Sequence, residues 1–370
     1  MVLSRSNNLF RGDVIKDRLI ATNGRPSGFD YMRIVLAVSI LLWHTVALSA
    51  GASAVHSLPL NILEPFSLLL VPMFFALSGF LVAGSLERSK TLVSFLGLRA
   101  FRIIPALGVE VLLSALVLGP LLTTYSLSTY VSDPQFHHYF LNIIGIIHYE
   151  LPGVFQSNPI NLVNGQLWTV PIELACYVLL SVFAIFGIFK RPGWLWLALT
   201  VYYLRQIEKF VLPPEPPHEP LHTWVVACFI GGLIMYRCRD HIVWSSRLCL
   251  LSFVAALLMA CIPRVGVLYI PLPVSYLTVY MGLLNPTRDR IALSGDYSYG
   301  IYLYGFPIQQ ALIAVSPLFL TWYWNMLAAV PLTIVLAALS WWLIEKPALG
   351  KRDILKRLER GVLAFQGLPP

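Results

Sequence analysis

Ten apolar runs, each about long enough to cross a bilayer as a helix, recur along the chain and leave few folds open. They fall at 29–50, 60–84, 103–124, 166–188, 193–212, 222–236, 248–263, 267–284, 298–316 and 323–345. A soluble domain carries about 25% charged residues. Here the share is 12%, against 57% hydrophobic residues and a mean hydropathy of +0.73. So few charges cannot cover a water-facing surface, and in lipid a helix pairs its own backbone groups. The expected fold is therefore all-α, a polytopic membrane helix bundle of about ten transmembrane helices. An eleventh apolar patch, 138–149, is too short to cross and is expected to lie at the interface or re-enter.

The charge pattern orients the bundle. With the N-terminus in the cytoplasm, 22 of the 26 Lys and Arg fall on the inner side. Arg205, Lys209 and Arg264 fall outside, and Arg33 lies within the first span. Such a bias predicts both termini in the cytoplasm and an even number of spans. The reading divides the chain into a cytoplasmic segment 1–28, a transmembrane domain 29–345 and a cytoplasmic tail 346–370. The net charge of +8 is spread between spans and at the termini, which argues against a nucleic-acid partner. The polar first 28 residues show no cleavable signal pattern. The five cysteines form no CxxC motif, so neither a disulfide nor a metal site is expected. Segment 125–165 has no Lys or Arg and holds Asp133, His137, His138, His148 and Glu150. A connection this long is usually functional, the alternative being disorder.

The residues that do not suit a membrane carry the functional argument. In FDYMRIVLAVSILLWHTV, Arg33 and His44 stand eleven positions apart. On an α-helix that is ~1100° of rotation and ~16 Å of rise, so both point the same way. An ionisable group deep in a span is costly unless it meets a partner or a wet cavity. His44 reads either as a satisfied core histidine or as a functional one, and the shared face with Arg33 favours function. Ser78 and Gly79, in the second run, suit close helix packing better than nucleophilic chemistry. Arg99 and Arg102 share a helical face after that run, ahead of a bend expected at Pro105, and suit a polyanion such as a phosphate-bearing cofactor. Glu173 sits two turns into VNGQLWTVPIELACYVLL, between Trp168 and Tyr177. It reads as an orienting group for histidine, a ligand for a sugar hydroxyl, or half of a buried ion pair. Tyr297, Tyr299, Tyr302 and Tyr304 form an interfacial aromatic belt, and Glu345-Lys346-Pro347 ends the last helix.

Taken in order, these stretches resemble the acyltransferase-3 family of integral membrane acyltransferases over residues 28–350. The motifs are Arg33 with His44, FFALSGFLVAGSLERS, LRAFRIIPA, LPGVFQSNPINLVNGQLWTVPIELACY, SYGIYLYGFPIQQ and WWLIEKPAL. The resemblance departs at Gly305, where many members carry histidine. It implies O-acyl transfer from cytoplasmic acyl-CoA, acetyl-CoA by default, to a hydroxyl of an extracytoplasmic glycan or glycolipid at the inner membrane. On that reading His44 is the general base and Glu173 its partner or a sugar ligand. Arg33, Arg99 and Arg102 bind the CoA phosphates, and Trp168, Tyr177, Asn164 and Ser78 contact the acceptor. Two alternatives stay open: a transporter or flippase of a lipid-linked saccharide, and an inactive scaffold with Gly305 as its mark.

Overall fold

A computed structural model describes residues 13–51, 63–210, 221–262, 269–290, 294–351, 353–355, 357 and 359–360. Arg5, Arg11, Arg264, Arg352 and Lys356, used in the charge argument, lie outside them. The described residues are helical, and two isolated β-bridges, Val14–Val243 and Thr123–Val154, start no sheet. In chain order the helices are α1 (Ile15–Ala21), α2 (Gly28–Ala50), α3 (Glu64–Arg88) and α4 (Leu92–Leu113). Then follow α5 (Leu127–Ser132), α6 (Pro134–Tyr139), α7 (Thr169–Ile185), α8 (Pro192–Phe210) and α9 (Leu221–Arg237). The last are α10 (Ser246–Ala260), α11 (Pro271–Gly282), α12 (Ser298–Val315) and α13 (Trp322–Ser340). Each of the ten apolar runs forms a helix. Five helical runs, Gly28–Ser49, Glu64–Arg88, Leu92–Leu122, Gly165–Ile185 and Trp322–Leu355, are long and apolar enough to cross a membrane.

The chain folds as two compact units. The first comprises 1–32, 72–83 and 186–288. Its helices meet where side chains vanish: a Cβ on Gly79 of α3 would overlap the Phe229 carbonyl of α9, and one on Gly232 would overlap the Ala76 carbonyl. The two glycines thus face each other's helix, the small-residue contact that lets membrane helices touch backbone to backbone. Gly79 is a packing residue, as its context suggested. The N-terminal α1 docks through Lys16 on Asp240 (2.7 Å) and Arg18 over the Trp244 ring (4.0 Å).

The second unit comprises 33–71, 84–185 and 289–370. Its third apolar run starts earlier than the sequence suggested, at Leu92 rather than 103. The cause is Thr91, whose hydroxyl accepts the Ser94 N–H (3.1 Å) as an N-cap. Arg99 and Arg102 therefore lie inside α4, not ahead of it, and the helix runs on through Pro105. α4 continues by a π-helical turn, Ser114–Leu118, into Gly119–Leu122, and α13 continues by another, Trp341–Glu345, into Lys346–Gly350. Such turns often mark functional positions.

Segment 125–165 is folded throughout. Tyr130 donates to the Ala115 carbonyl of the first π turn (2.8 Å). Asn142, fully buried, brackets His148 by accepting from its N–H (2.7 Å) and donating to its carbonyl (2.9 Å). The apolar patch within the segment is a short 3₁₀ turn, Phe140–Ile144, with Ile143 beside Gly108 of α4.

Gly79→Ala should lower the melting temperature measured in detergent, because backbone atoms cannot yield to the new methyl and overpacking costs about 1–3 kcal/mol. An unchanged melting temperature would show that the α3–α9 contact can relax.

Candidate active site

Two of the three arginines singled out in the sequence, Arg33 and Arg102, converge in the second unit on an acidic residue that carried no signal of its own. Asp296, just before α12, receives Arg33 of α2 (3.1 Å) and Arg102 of α4 (2.7 Å) on the same oxygen, Oδ2. Its Oδ1 accepts the Ser298 hydroxyl (2.7 Å). Burial alone would raise the Asp296 carboxyl, but Arg102 and then Arg33 outweigh it and hold its pKa below the usual carboxylate range. Arg102 also pairs with Glu345 (3.0 Å), whose side chain is 2% exposed and which closes the second π turn. Ser340 donates to the other Glu345 oxygen (3.2 Å). Glu345 is thus an ion-pair member and not the end of the last helix, which runs on through Lys346 and Pro347 to Gly350.

Arg99 differs. It donates to the Ser85 hydroxyl (3.2 Å), and among the described residues no carboxylate lies within ion-pair distance and its buried Nε has no acceptor. Its surroundings include Tyr177, Arg33, Glu173 and Arg102. Glu173 is half-buried and accepts a short hydrogen bond from Tyr177, one turn further along α7. The structure thus places Glu173 and Tyr177 towards the arginine cluster, and no hydrogen bond joins Glu173 to His44 among the described residues.

His44 lies eleven residues along α2 from Arg33, half-buried, with its ring edge-on to Phe306 of α12 (centroids 5.4 Å apart). Arg33 and His44 both face residues 296–306, so the shared face read from their spacing is real. No hydrogen bond reaches the imidazole nitrogens among the described residues. Gly305 also faces α2: a Cβ there would stand 2.6 Å from Leu41 Cδ1. Leu41 fills the space that a histidine at 305 would need.

The acceptor candidates separate. Trp168 is half-buried, beside the start of α7. Ser78 is half-buried and belongs to the first unit. Asn164 is fully buried and its polar atoms are in use. It donates to Glu110 Oε1 (2.8 Å) and to Tyr139 through a short bond, and accepts from Gln166 (3.1 Å). Burial, and after it the Glu110 charge, hold the Tyr139 phenol well above its usual pKa. Ser114, at the first π turn, donates to Glu110 (2.6 Å). This network ties segment 125–165 to α4. Glu110 was legible as a lone carboxylate in the third apolar run. Asp296 carried no such signal, since it stands between runs.

The family model described as an acyltransferase domain, that of the acyltransferase-3 family, matches residues 27–346. An O-acetyl transferase of Shigella phage Sf6 is 26% identical, the match covering 86% of this chain and 94% of the relative. Nodulation protein 10 of Rhizobium leguminosarum bv. viciae is 29% identical, over 90% of this chain and 96% of the relative. No solved structure matches. With the family's domain spanning nearly all of its apolar length, the chain belongs to the acyltransferase-3 family and is an acyltransferase enzyme with membrane-spanning helices.

Proposed function

We propose that the chain is an O-acyltransferase that moves an acyl group, acetyl by default, from cytoplasmic acyl-CoA to a hydroxyl of an extracytoplasmic glycan or glycolipid. The observation that carries this reading is the convergence of Arg33, Arg99 and Arg102 at one end of the helical face that bears His44. Three guanidiniums meet two carboxylates there, and Arg99 is the one without an acid. A cation so placed suits a phosphate of the donor. The relative named an O-acetyl transferase supports the acetyl group and the oxygen acceptor. The charge bias along the chain supports both termini and the arginine end in the cytoplasm, in a bacterial inner membrane.

The residues divide the work. Arg99 binds the donor phosphates, while Arg33 and Arg102, anchored by Asp296 and Glu345, supply the surrounding positive field. The thioester then reaches along α2 towards His44. The imidazole takes the proton of the acceptor hydroxyl as its oxygen attacks the thioester carbonyl. The tetrahedral intermediate collapses with cleavage of the C–S bond, and the departing thiolate takes that proton back from the imidazolium to leave as the free CoA thiol. Glu173 and Tyr177, near Arg99, line the path of the donor arm. Trp168 offers the acceptor an aromatic face. Asn164 acts from inside the protein, holding the segment 125–165 that contributes the acceptor side. Ser78 takes no part in this scheme.

His44→Ala should lower acetyl-CoA thiol release by the roughly 10²–10⁴-fold that a general base contributes. The measurement is thiol release by the purified protein in nanodiscs, with melting temperature as the check on folding. Wild-type turnover in His44→Ala would remove the base from the scheme.

Arg99→Ala should raise the KM for acetyl-CoA about tenfold, the loss of one charge-assisted contact of about 1.4 kcal/mol. Its kcat should stay near wild type. A fall in kcat at unchanged KM would place Arg99 in the chemistry and not in donor binding. Transport of a lipid-linked saccharide without acyl-CoA would favour a carrier instead.

A further inference from the structure

A buried amide of α12 grips the turn of α2 that carries His44. Gln309 is fully buried, and its side-chain nitrogen donates to the Leu41 carbonyl (2.8 Å) and the Thr45 hydroxyl (2.5 Å). Thr45 in turn donates to the Leu41 carbonyl (3.0 Å). Leu41, His44 and Thr45 belong to one turn of α2, so His44 stands on a backbone pinned on both sides. The nitrogen, not the oxygen, must face α2, because an amide oxygen there would confront the Leu41 carbonyl. The Gln309 main-chain carbonyl is held from the far side by Asn325 of α13 (3.1 Å).

This grip matters because, among the described residues, no hydrogen bond orients the imidazole itself. Catalytic histidines are commonly steered by a carboxylate on the second ring nitrogen. Here Glu173 is engaged by Tyr177, Glu110 by Ser114 and Asn164, and Asp296 and Glu345 by arginines. The ring is set by the helical turn beneath it and by its T-shaped contact with Phe306. The next residue, Gln310, reaches the opposite way. It donates to the carbonyls of Ile160 (2.6 Å) and Leu162 (2.7 Å), and its own side-chain oxygen accepts from Asn158 (2.9 Å). Adjacent glutamines thus hold the His44 turn and the segment that packs over its outer end, where Ile160, Leu162 and Phe319 cluster with Leu48, Phe306 and Ile313.

We propose that Gln309 is a positioning residue for acyl transfer, fixing the Leu41–Thr45 turn so that the His44 imidazole is held in line with the reacting hydroxyl. The proposal rests on the reading of His44 as the base. Thr45 is its partner in the grip. Neither side chain needs to touch the donor, whose phosphates belong about three helical turns away at the arginine end.

The test is thiol release from acetyl-CoA by the full chain in nanodiscs, for Gln309→Leu, Thr45→Val and the double variant. A misplacement of about 1 Å can cost 10²-fold in rate, so Gln309→Leu should lower kcat roughly ten- to a hundredfold with the KM for acetyl-CoA within about twofold of wild type. Thr45→Val should lower it less, and the double variant should be no slower than Gln309→Leu, since both changes break one grip. Two effects that simply multiply, or an unchanged kcat in Gln309→Leu, would overturn the proposal. Should Gln309→Leu fail to fold, Thr45→Val keeps volume and carries the test by itself, an unchanged kcat counting against the grip. A second readout is the rate at which diethyl pyrocarbonate modifies His44, followed by mass spectrometry. It should change severalfold in folded Gln309→Leu, and an unchanged rate there would also overturn the proposal. Wild-type thiol release in His44→Ala would sink the reading of His44 itself. Its loss there, with full kcat in both grip variants, would sink only the role of Gln309.

Discussion

The Asp296 carboxylate is the interaction on which the second unit depends. Charged groups inside apolar helices persist only when each is matched. One Asp296 oxygen matches Arg33 and Arg102 at once, so three stretches of chain, α2, α4 and the start of α12, are tied at a point. Glu345 adds a fourth by taking the other arm of Arg102. A buried pair of this kind adds little net stability, yet losing one partner is expensive because the other is left bare. Its value is therefore geometric. It fixes which helices meet, and it sets a positive end on the face of α2 that carries His44.

That face has two different methods of support. At the arginine end charge answers charge, with Arg33 and Arg102 set against Asp296 and Glu345. At the histidine end the support is neutral: a glutamine amide, a threonine hydroxyl and a phenylalanine edge. A carboxylate beside His44 would stabilise an imidazolium. Neutral support acts on His44 through the backbone of its turn. The same helix turn of α12 reaches segment 158–162 through Gln310, so a change in that segment has a short route to the turn that carries His44.

Glycine settles how closely the helices approach. Without a hydrophobic drive between helices in lipid, close packing of small residues takes its place. Gly79 and Gly232 serve this purpose in the first unit. Gly305 serves it in the second, where Leu41 takes the room that a side chain at 305 would fill. The missing histidine at 305 is thus part of how α2 and α12 touch, beside the Gln309 grip one turn on.

Much of this was legible in the order of residues. Long apolar runs admit only helices in lipid, because the backbone must pair with itself. The eleven-residue spacing of Arg33 and His44 set one face by helical geometry alone. Apolar content alone starts the third run at 103, whereas the Thr91 cap begins α4 at Leu92 and takes Arg99 and Arg102 into the helix. What only the tertiary structure decided is which polar groups meet. Asp296 lies 194 positions from Arg102 and Gln309 lies 268 from Leu41. No local pattern links residues so far apart, since their pairing is set by how the helices pack and not by the period of any one of them.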